Sequence, residues 1–275
     1  MKFALHFAAS IALAVPAASI PSFAQMQDNT EKQLSCNNGG NDNDRARHCD
    51  MREQNYPAIG RLNVDEVRNG SISVKGALRG DVLVRARVES YGETQPAAAM
   101  IASQVSIDGS GGQVRANGPQ NVENSSWNVS YEIFVPQFTD LTLKAGNGAI
   151  SISDVRGTLR FDVNNGAVRL KRVAGDVSGS TTNGAIQADL AGGIWDGRQF
   201  DVTTHNGAVT VTMPAYYNAH VQAETGNGRI QSDFAMPVVA ANAPPHNLDF
   251  NLGSGGPLIH ITTGNGAVRL KRAEQ

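Results

Sequence analysis

From residue 140 onward the chain alternates apolar and polar residues in short runs, and Asn-Gly interrupts each run. Followed by one residue and then Ile or Val, the dipeptide recurs as Asn69-Gly70, Asn147-Gly148, Asn165-Gly166, Asn183-Gly184, Asn206-Gly207, Asn227-Gly228 and Asn265-Gly266. Three residues after each Asn stands Ile or Val: Ile72, Ile150, Val168, Ile186, Val209, Ile230 and Val268. The fifth position (Val74, Ile152, Leu170, Ala188, Val211, Ser232, Leu270) is mostly apolar. This is period-two alternation, so each Asn-Gly opens a strand with one buried face. Upstream, the sixth position before Asn in the six C-terminal copies is Leu141, Leu159, Val177, Phe200, Val221 and Ile259. Each unit therefore reads strand, Asn-Gly corner, strand and a second turn that often holds Gly, as in Val155-Arg156-Gly157.

Two architectures use such a pattern. Asn-Gly is the favoured two-residue hairpin turn, which allows an antiparallel meander. Alternatively each unit is one coil of a β-solenoid, with equivalent strands stacked in parallel. Constant register favours the solenoid, because one offset then stacks on itself as a continuous apolar column. In that arrangement the corner Asn is expected in the left-handed conformation, with its amide in a ladder, and Gly to tolerate the dihedrals that follow. The last spacing, 38 residues from Asn227 to Asn265, reads as a double unit.

Residues 58–140 are less regular. Asn69 opens a unit at Ser71-Ile72-Ser73-Val74, and 81–88 alternate as a strand. Thr94-Gln95-Pro96 followed by Ala-rich sequence to Ala102 predicts a short helix, with Pro in its first turn. Strands follow at 104–107, 113–116 and 127–135, and Pro-rich 235–245 is a loop. The fold class expected is all-β: a single-stranded, β-helix-like solenoid over 141–275, behind an irregular N-terminal cap (58–140) with one helix.

Composition agrees: 29 Gly, 17% charged and 6% aromatic residues suit short strands and tight turns. Lys2, the apolar run 7–18 and Ser22-Phe23-Ala24 read as a signal peptide over 1–24. Its removal takes one Lys from 23 basic residues, against 25 acidic ones, leaving a net charge of about −3. No global basic field exists to draw in nucleic acid. Cys36 and Cys49, the two cysteines, enclose a polar Asn/Asp-rich loop within residues 25–57. In an exported protein they read as one disulfide, with free thiols or a metal site as alternatives. Zinc would need two ligands beyond those cysteines, and His48 alone does not supply them. Calcium at the Asn/Asp loop stays open, although the spacing is not that of an EF-hand.

Enzyme motifs are sparse. Gly109-Ser110-Gly111-Gly112 and Gly253-Ser254-Gly255-Gly256 lack nucleotide-binding spacing and read as hairpin turns. Carboxylates that could pair across coils as glycosidase acids are Asp154, Asp162, Asp176, Asp189, Asp196 and Asp201. His205, His220, His246 and His260 show no metal-ligand spacing, and no cofactor is implied. The octamer NGAVRLKR occurs twice, at 165–172 and 265–272. Alternation points Arg169, Lys171, Arg269 and Lys271 outward, where an anionic ligand could meet them. With coils stacked in chain order, Gln187, Thr210 and Gln231 occupy the position of Arg169 elsewhere, so no continuous basic stripe is expected.

The iterated NGAI and NGAV corners, Ser130-Tyr131-Glu132-Ile133-Phe134-Val135-Pro136 leading into Asp140-Leu141-Thr142-Leu143, and Asn251-Leu252-Gly253-Ser254-Gly255-Gly256-Pro257 resemble a known family. It is the "putative adhesin" family of bacterial exported β-strand-repeat proteins, a domain of unknown function. The resemblance spans 58–272 and brings no catalytic motif. It implies an exported, non-catalytic, adhesin-like protein of the periplasm or cell surface, with an envelope glycan or protein as partner. A carbohydrate-active lyase or hydrolase on a β-helix scaffold is the rival, and a purely structural envelope protein a third reading.

Overall fold

A computed structural model describes residues 34–36, 45–66, 69–120, 124–236 and 246–274. The signal-peptide reading, most of the loop between the cysteines and the Pro-rich loop from 237 lie outside the described residues.

The N-terminal part holds β1 (Ala46–Pro57), β2 (Arg61–Glu66), β3 (Ile72–Ala77), β4 (Asp81–Gly92) and helix α1 (Gln95–Gln104). Then come β5 (Ser106–Asp108), β6 (Gln113–Asn117) and β7 (Ser126–Pro136). Corner-joined pairs follow: β8 (Asp140–Asn147) with β9 (Ile150–Ser153), β10 (Arg156–Asn165) with β11 (Val168–Lys171), and β12 (Ala174–Asn183) with β13 (Ile186–Asp189). Next are β14 (Gln199–Asn206) with β15 (Val209–Met213) and β16 (Ala219–Asn227) with β17 (Ile230–Ser232). A single strand, β18 (Asn247–Leu252), precedes the last pair, β19 (Leu258–Asn265) with β20 (Val268–Arg272).

These strands form two ten-stranded sheets. The first runs β1-β4-β7-β3-β9-β11-β13-β15-β20-β17, the second β18-β16-β19-β14-β12-β10-β8-β2-β6-β5. Every Asn-Gly corner hands the chain from the second sheet to the first. Corner-bearing strands pair in parallel, which excludes the meander: Leu159 lies between Leu141 and Val177, and Val168 between Ile150 and Ile186. Both inward columns are buried in one hydrophobic core that spans the two sheets. Each such side chain contributes about 1.5–3 kcal/mol by leaving water.

The corner works by a different device from the expected one. No corner Asn or Gly has a positive φ; the left-handed residues sit in the second turn, at Asp154 (φ 59), Arg172 (φ 51) and Gly175 (φ 100). Glycine is demanded at the corner by proximity instead. A Cβ on Gly166, Gly184, Gly207 or Gly266 would lie closer than 3.0 Å to the carbonyl oxygen of the corner glycine stacked below it.

Stacking also departs from chain order at the C-terminal end. The last pair, β19–β20, enters between β14–β15 and β16–β17. β18 then covers the outer edge of β16 in antiparallel register. The spacing from Asn227 to Asn265 is therefore not a double unit but one lone strand plus a return into the stack. For the same reason Gly253-Ser254-Gly255-Gly256 is no hairpin turn, since β16 separates the two strands it joins. Asn218 holds that crossing, accepting from the Ser254 backbone N–H at 2.8 Å and hydroxyl at 3.0 Å.

At the other end, β1, β4 and β7 pair antiparallel, as do β5 and β6 around Gly109–Gly112. Thr94 caps α1, accepting from the Ala97 N–H, and Ala98, Ile101 and Ala102 are its buried residues. Arg52 of β1 donates to the carbonyls of Ala102 (2.7 Å) and Val105 at the end of the helix. Cys36 and Cys49 form a disulfide, Cα–Cα 5.7 Å, that ties the segment before β1 to its fourth residue. Short or covered edges are what a stack of open strands requires against edge-to-edge association.

Candidate functional site

At the corners, one asparagine amide donates to the next. Nδ2 of Asn147 reaches Oδ1 of Asn69 at 2.9 Å. Asn165 to Asn147, Asn183 to Asn165, Asn206 to Asn183, Asn265 to Asn206 and Asn227 to Asn265 are each 2.8 Å. The ladder is exposed along one side of the stack. Its amides are largely spent on each other, so it acts first as a structural clamp.

The two copies of Arg-Leu-Lys-Arg are held apart. Arg169 and Arg269 occupy the same register of the first sheet, with Gln187 and Thr210 between them. Gln231 lies beyond Arg269, a consequence of the inserted pair. Arg169 donates to Oε1 of Gln187 at 3.1 Å, and Lys171 lies in register between Ser153 and Asp189. Lys271 lies beside Thr212. Nothing here is a continuous basic stripe.

Three of the six candidate carboxylates are occupied by arginines and a fourth faces a histidine. Asp154 holds Arg172 through both oxygens at 2.6 and 2.8 Å, and Asp196 holds Arg156. Asp176 takes both the backbone N–H (2.9 Å) and the guanidinium of Arg198, which together hold its carboxyl below the ordinary range. Asp201 faces His260. Asp162 lies in register between Lys144 and Ser180, and Asp189 between Lys171 and Thr212.

A polar row that the sequence did not reveal lies on the outward face of the second sheet. Asp201, His260, Gln222 and Asp249 stand in one row across β14, β19, β16 and β18. Nδ1 of His260 lies 3.0 Å from Oδ1 of Asp201, and its Nε2 lies 3.4 Å from Oγ1 of Thr262. Nε2 of His220 lies 2.7 Å from Oδ1 of Asp249, while Gln222 donates to the other carboxylate oxygen at 3.0 Å. His220 first, then Gln222, hold the Asp249 carboxyl below its usual range. The row exists only because β19 is inserted between β14 and β16. His205 and His246 are exposed elsewhere. Among the described residues, no group of three or more His, Cys, Asp or Glu is arranged to hold a metal ion.

No protein-family model matches the chain, and no curated protein matches it. Among solved structures, it is similar to a "putative cell adhesion protein" from Clostridium sporogenes, with 12% identity and TM-score 0.44 over 82% of this chain and 100% of that one. A "putative adhesin" from Bacteroides fragilis has 11% identity and TM-score 0.36 over 82% and 97%. A "putative lipid binding protein" from Parabacteroides distasonis has 8% identity and TM-score 0.28 over 82% and 97%. Among the described residues no helix is long and apolar enough to cross a membrane.

Proposed function

We propose that the protein is an exported, non-catalytic β-solenoid, adhesin-like, that serves as a binding scaffold at the bacterial envelope or cell surface. Residues 141–275 are the repeat, 58–140 the cap, and 25–57 the disulfide-tied entry to it. The contact face is the outward side of the second sheet, centred on Asp201, His260, Gln222 and Asp249. The observation that carries this is the row itself: planar donors and acceptors, partly exposed, aligned over four neighbouring strands whose backbones are fixed by ladder bonds. Preset polar groups on a rigid sheet lose little entropy when they bind. Their chemistry suits sugar hydroxyls or an extended peptide of an envelope partner. The net charge of about −3 after signal removal argues against nucleic acid.

Binding of the mature protein to a glycan array and to whole bacterial cells tests the reading. Signal that falls at least about tenfold in a Gln222→Ala/His260→Ala variant supports it, each lost pair of hydrogen bonds being worth about 1–3 kcal/mol. Absence of binding to any surface would refute it. Release of reducing or unsaturated sugar ends, abolished by Asp201→Asn, would instead establish the carbohydrate-active rival.

A further inference from the structure

Seven corners share Asn-Gly, yet the stack does not treat them alike. Asn-Gly is chemically labile because glycine leaves its backbone nitrogen unshielded and close to the asparagine side-chain carbonyl carbon. Reaction needs a Gly N–H not engaged elsewhere and an amide able to turn toward it.

The interior corners deny both. Gly166 donates its N–H to the Asn183 carbonyl at 3.0 Å, Gly184 to Asn206 at 3.0 Å, Gly207 to Asn265 at 3.1 Å and Gly266 to Asn227 at 3.2 Å. The amides of Asn165, Asn183, Asn206 and Asn265 each donate to one neighbour and accept from another. Asn227-Gly228 is the end of the series. Its amide donates to Asn265 at 2.8 Å, but no described side chain donates to its Oδ1. The Gly228 N–H has no acceptor among the described residues, because no further corner stacks beyond it. The strand it opens, β17, has three residues and ends the first sheet. Asn147 is intermediate: its amide is gripped on both sides, but the Gly148 N–H has no acceptor among the described residues. Asn69-Gly70 is the opposite end of the series, its amide making one ladder bond and its Gly70 N–H likewise without a described acceptor.

We infer that Asn227-Gly228 is a spontaneous modification site, one that deamidates ahead of the four corners whose glycine N–H is engaged. The Gly228 nitrogen attacks Cγ of Asn227; the N–Cγ bond forms, the Cγ–Nδ2 bond breaks, and ammonia leaves with the proton given up by the Gly228 N–H. Water then opens the succinimide at either carbonyl, leaving aspartate or isoaspartate. Either product removes the donor that Asn227 extends to Asn265, and isoaspartate adds a methylene to the main chain of the end coil. The same fold thus protects the four corners whose glycine N–H is engaged and leaves the ends of the ladder open, so the ladder ages from its ends inward.

The test is incubation of the full native chain at mildly alkaline pH, followed by peptide mass mapping and isoaspartate detection at each corner. Asn227 should convert at least about tenfold faster than Asn183 or Asn206, since interior corners must first open against neighbouring coils. In urea the corner rates should converge, and Asn227→Gln should abolish the signal at that position. An interior corner reacting as fast as Asn227 in the native protein would overturn the inference. So would the same preference persisting in urea, which would trace it to Arg229 standing where five of the other six corners have Ala and one has Ser71.

Discussion

Thr204 donates its hydroxyl to the carbonyl oxygen of Gly184, one coil away, at 2.8 Å. Thr181 to Gly166 (2.9 Å), Thr263 to Gly207 (2.8 Å) and Thr225 to Gly266 (2.8 Å) repeat the bond. All four threonines are buried. Thr204→Val keeps the shape and removes the donor, leaving a buried carbonyl short of a partner. The expected loss is about 1–2 kcal/mol in urea unfolding. Thr203→Val, on the exposed face next door, should change stability by less than about 0.5 kcal/mol.

The corner glycines give a sharper contrast. A Cβ added to Gly184 would run into the Gly166 carbonyl and the Ala167 backbone nitrogen, so it meets backbone rather than a yielding side chain. Gly184→Ala should cost about 1–3 kcal/mol or prevent folding. Gly80 has nothing within 4 Å of an added Cβ and no positive φ, so Gly80→Ala should be neutral or slightly stabilising. Equal thermal shifts in the two variants would contradict a proximity role for the corner glycine.

Asn183 tests the ladder from its middle. Asn183→Asp removes the donor to Asn165 while keeping an acceptor for Asn206, and it places a carboxylate beside the Asn165 oxygen. A cost of about 1 kcal/mol is expected, made up of the lost donor and the repulsion between the carboxylate and the Asn165 oxygen. Denaturant midpoints at neutral pH and at a pH that protonates the carboxylate separate the two contributions.

Which of these features could be read from residues follows from their range. The inward Ile/Val column was legible because its offset from Asn-Gly is fixed and every member faces the same core. The reason for glycine was not, since close approach between coils involves a second copy of the motif that local sequence cannot place. Nor was the order of the coils: NGRI at Asn227 and NGAV at Asn265 satisfy the same neighbours, and only the lone strand β18 decides which lies outermost. The Asp201–His260–Gln222–Asp249 row is a product of that order and was invisible with it. β1 was missed for another reason. It carries Arg47, Asp50, Arg52 and Glu53 without an alternating apolar set, and two of these meet charges on β4, Arg47 with Glu89 and Glu53 with Arg85 at 2.6 Å, so it lacks the apolar period of a half-buried strand.

The Cys36–Cys49 bond closes a short loop, sequence separation 13, onto the edge strand β1. A loop of that size restricts the unfolded chain by about 3 kcal/mol. Cys36→Ser/Cys49→Ser should lower the thermal midpoint, and hydrogen exchange should rise first in β1, the edge strand that carries Cys49. An unchanged midpoint would mean that β1 is held by β4 and Arg52 alone.

Acid should loosen the C-terminal end of the stack through Asp249. Its carboxyl is held below the ordinary range by His220 and Gln222 when folded, so the unfolded chain binds the proton more readily. The stability it contributes is present above the unfolded carboxylate pKa, about 4, and is lost as pH falls through the lower folded value. Asp176, held down by Arg198, has the same sign. Asp249→Asn should therefore reduce stability at neutral pH and flatten its decline below pH ~4. Because the lost contacts join β16 to β18, hydrogen exchange across those two strands should respond before exchange in β10 and β12. A wild-type protein whose β16–β18 exchange is unchanged between neutral and acid pH would show that Asp249 does not couple the end strand to the stack.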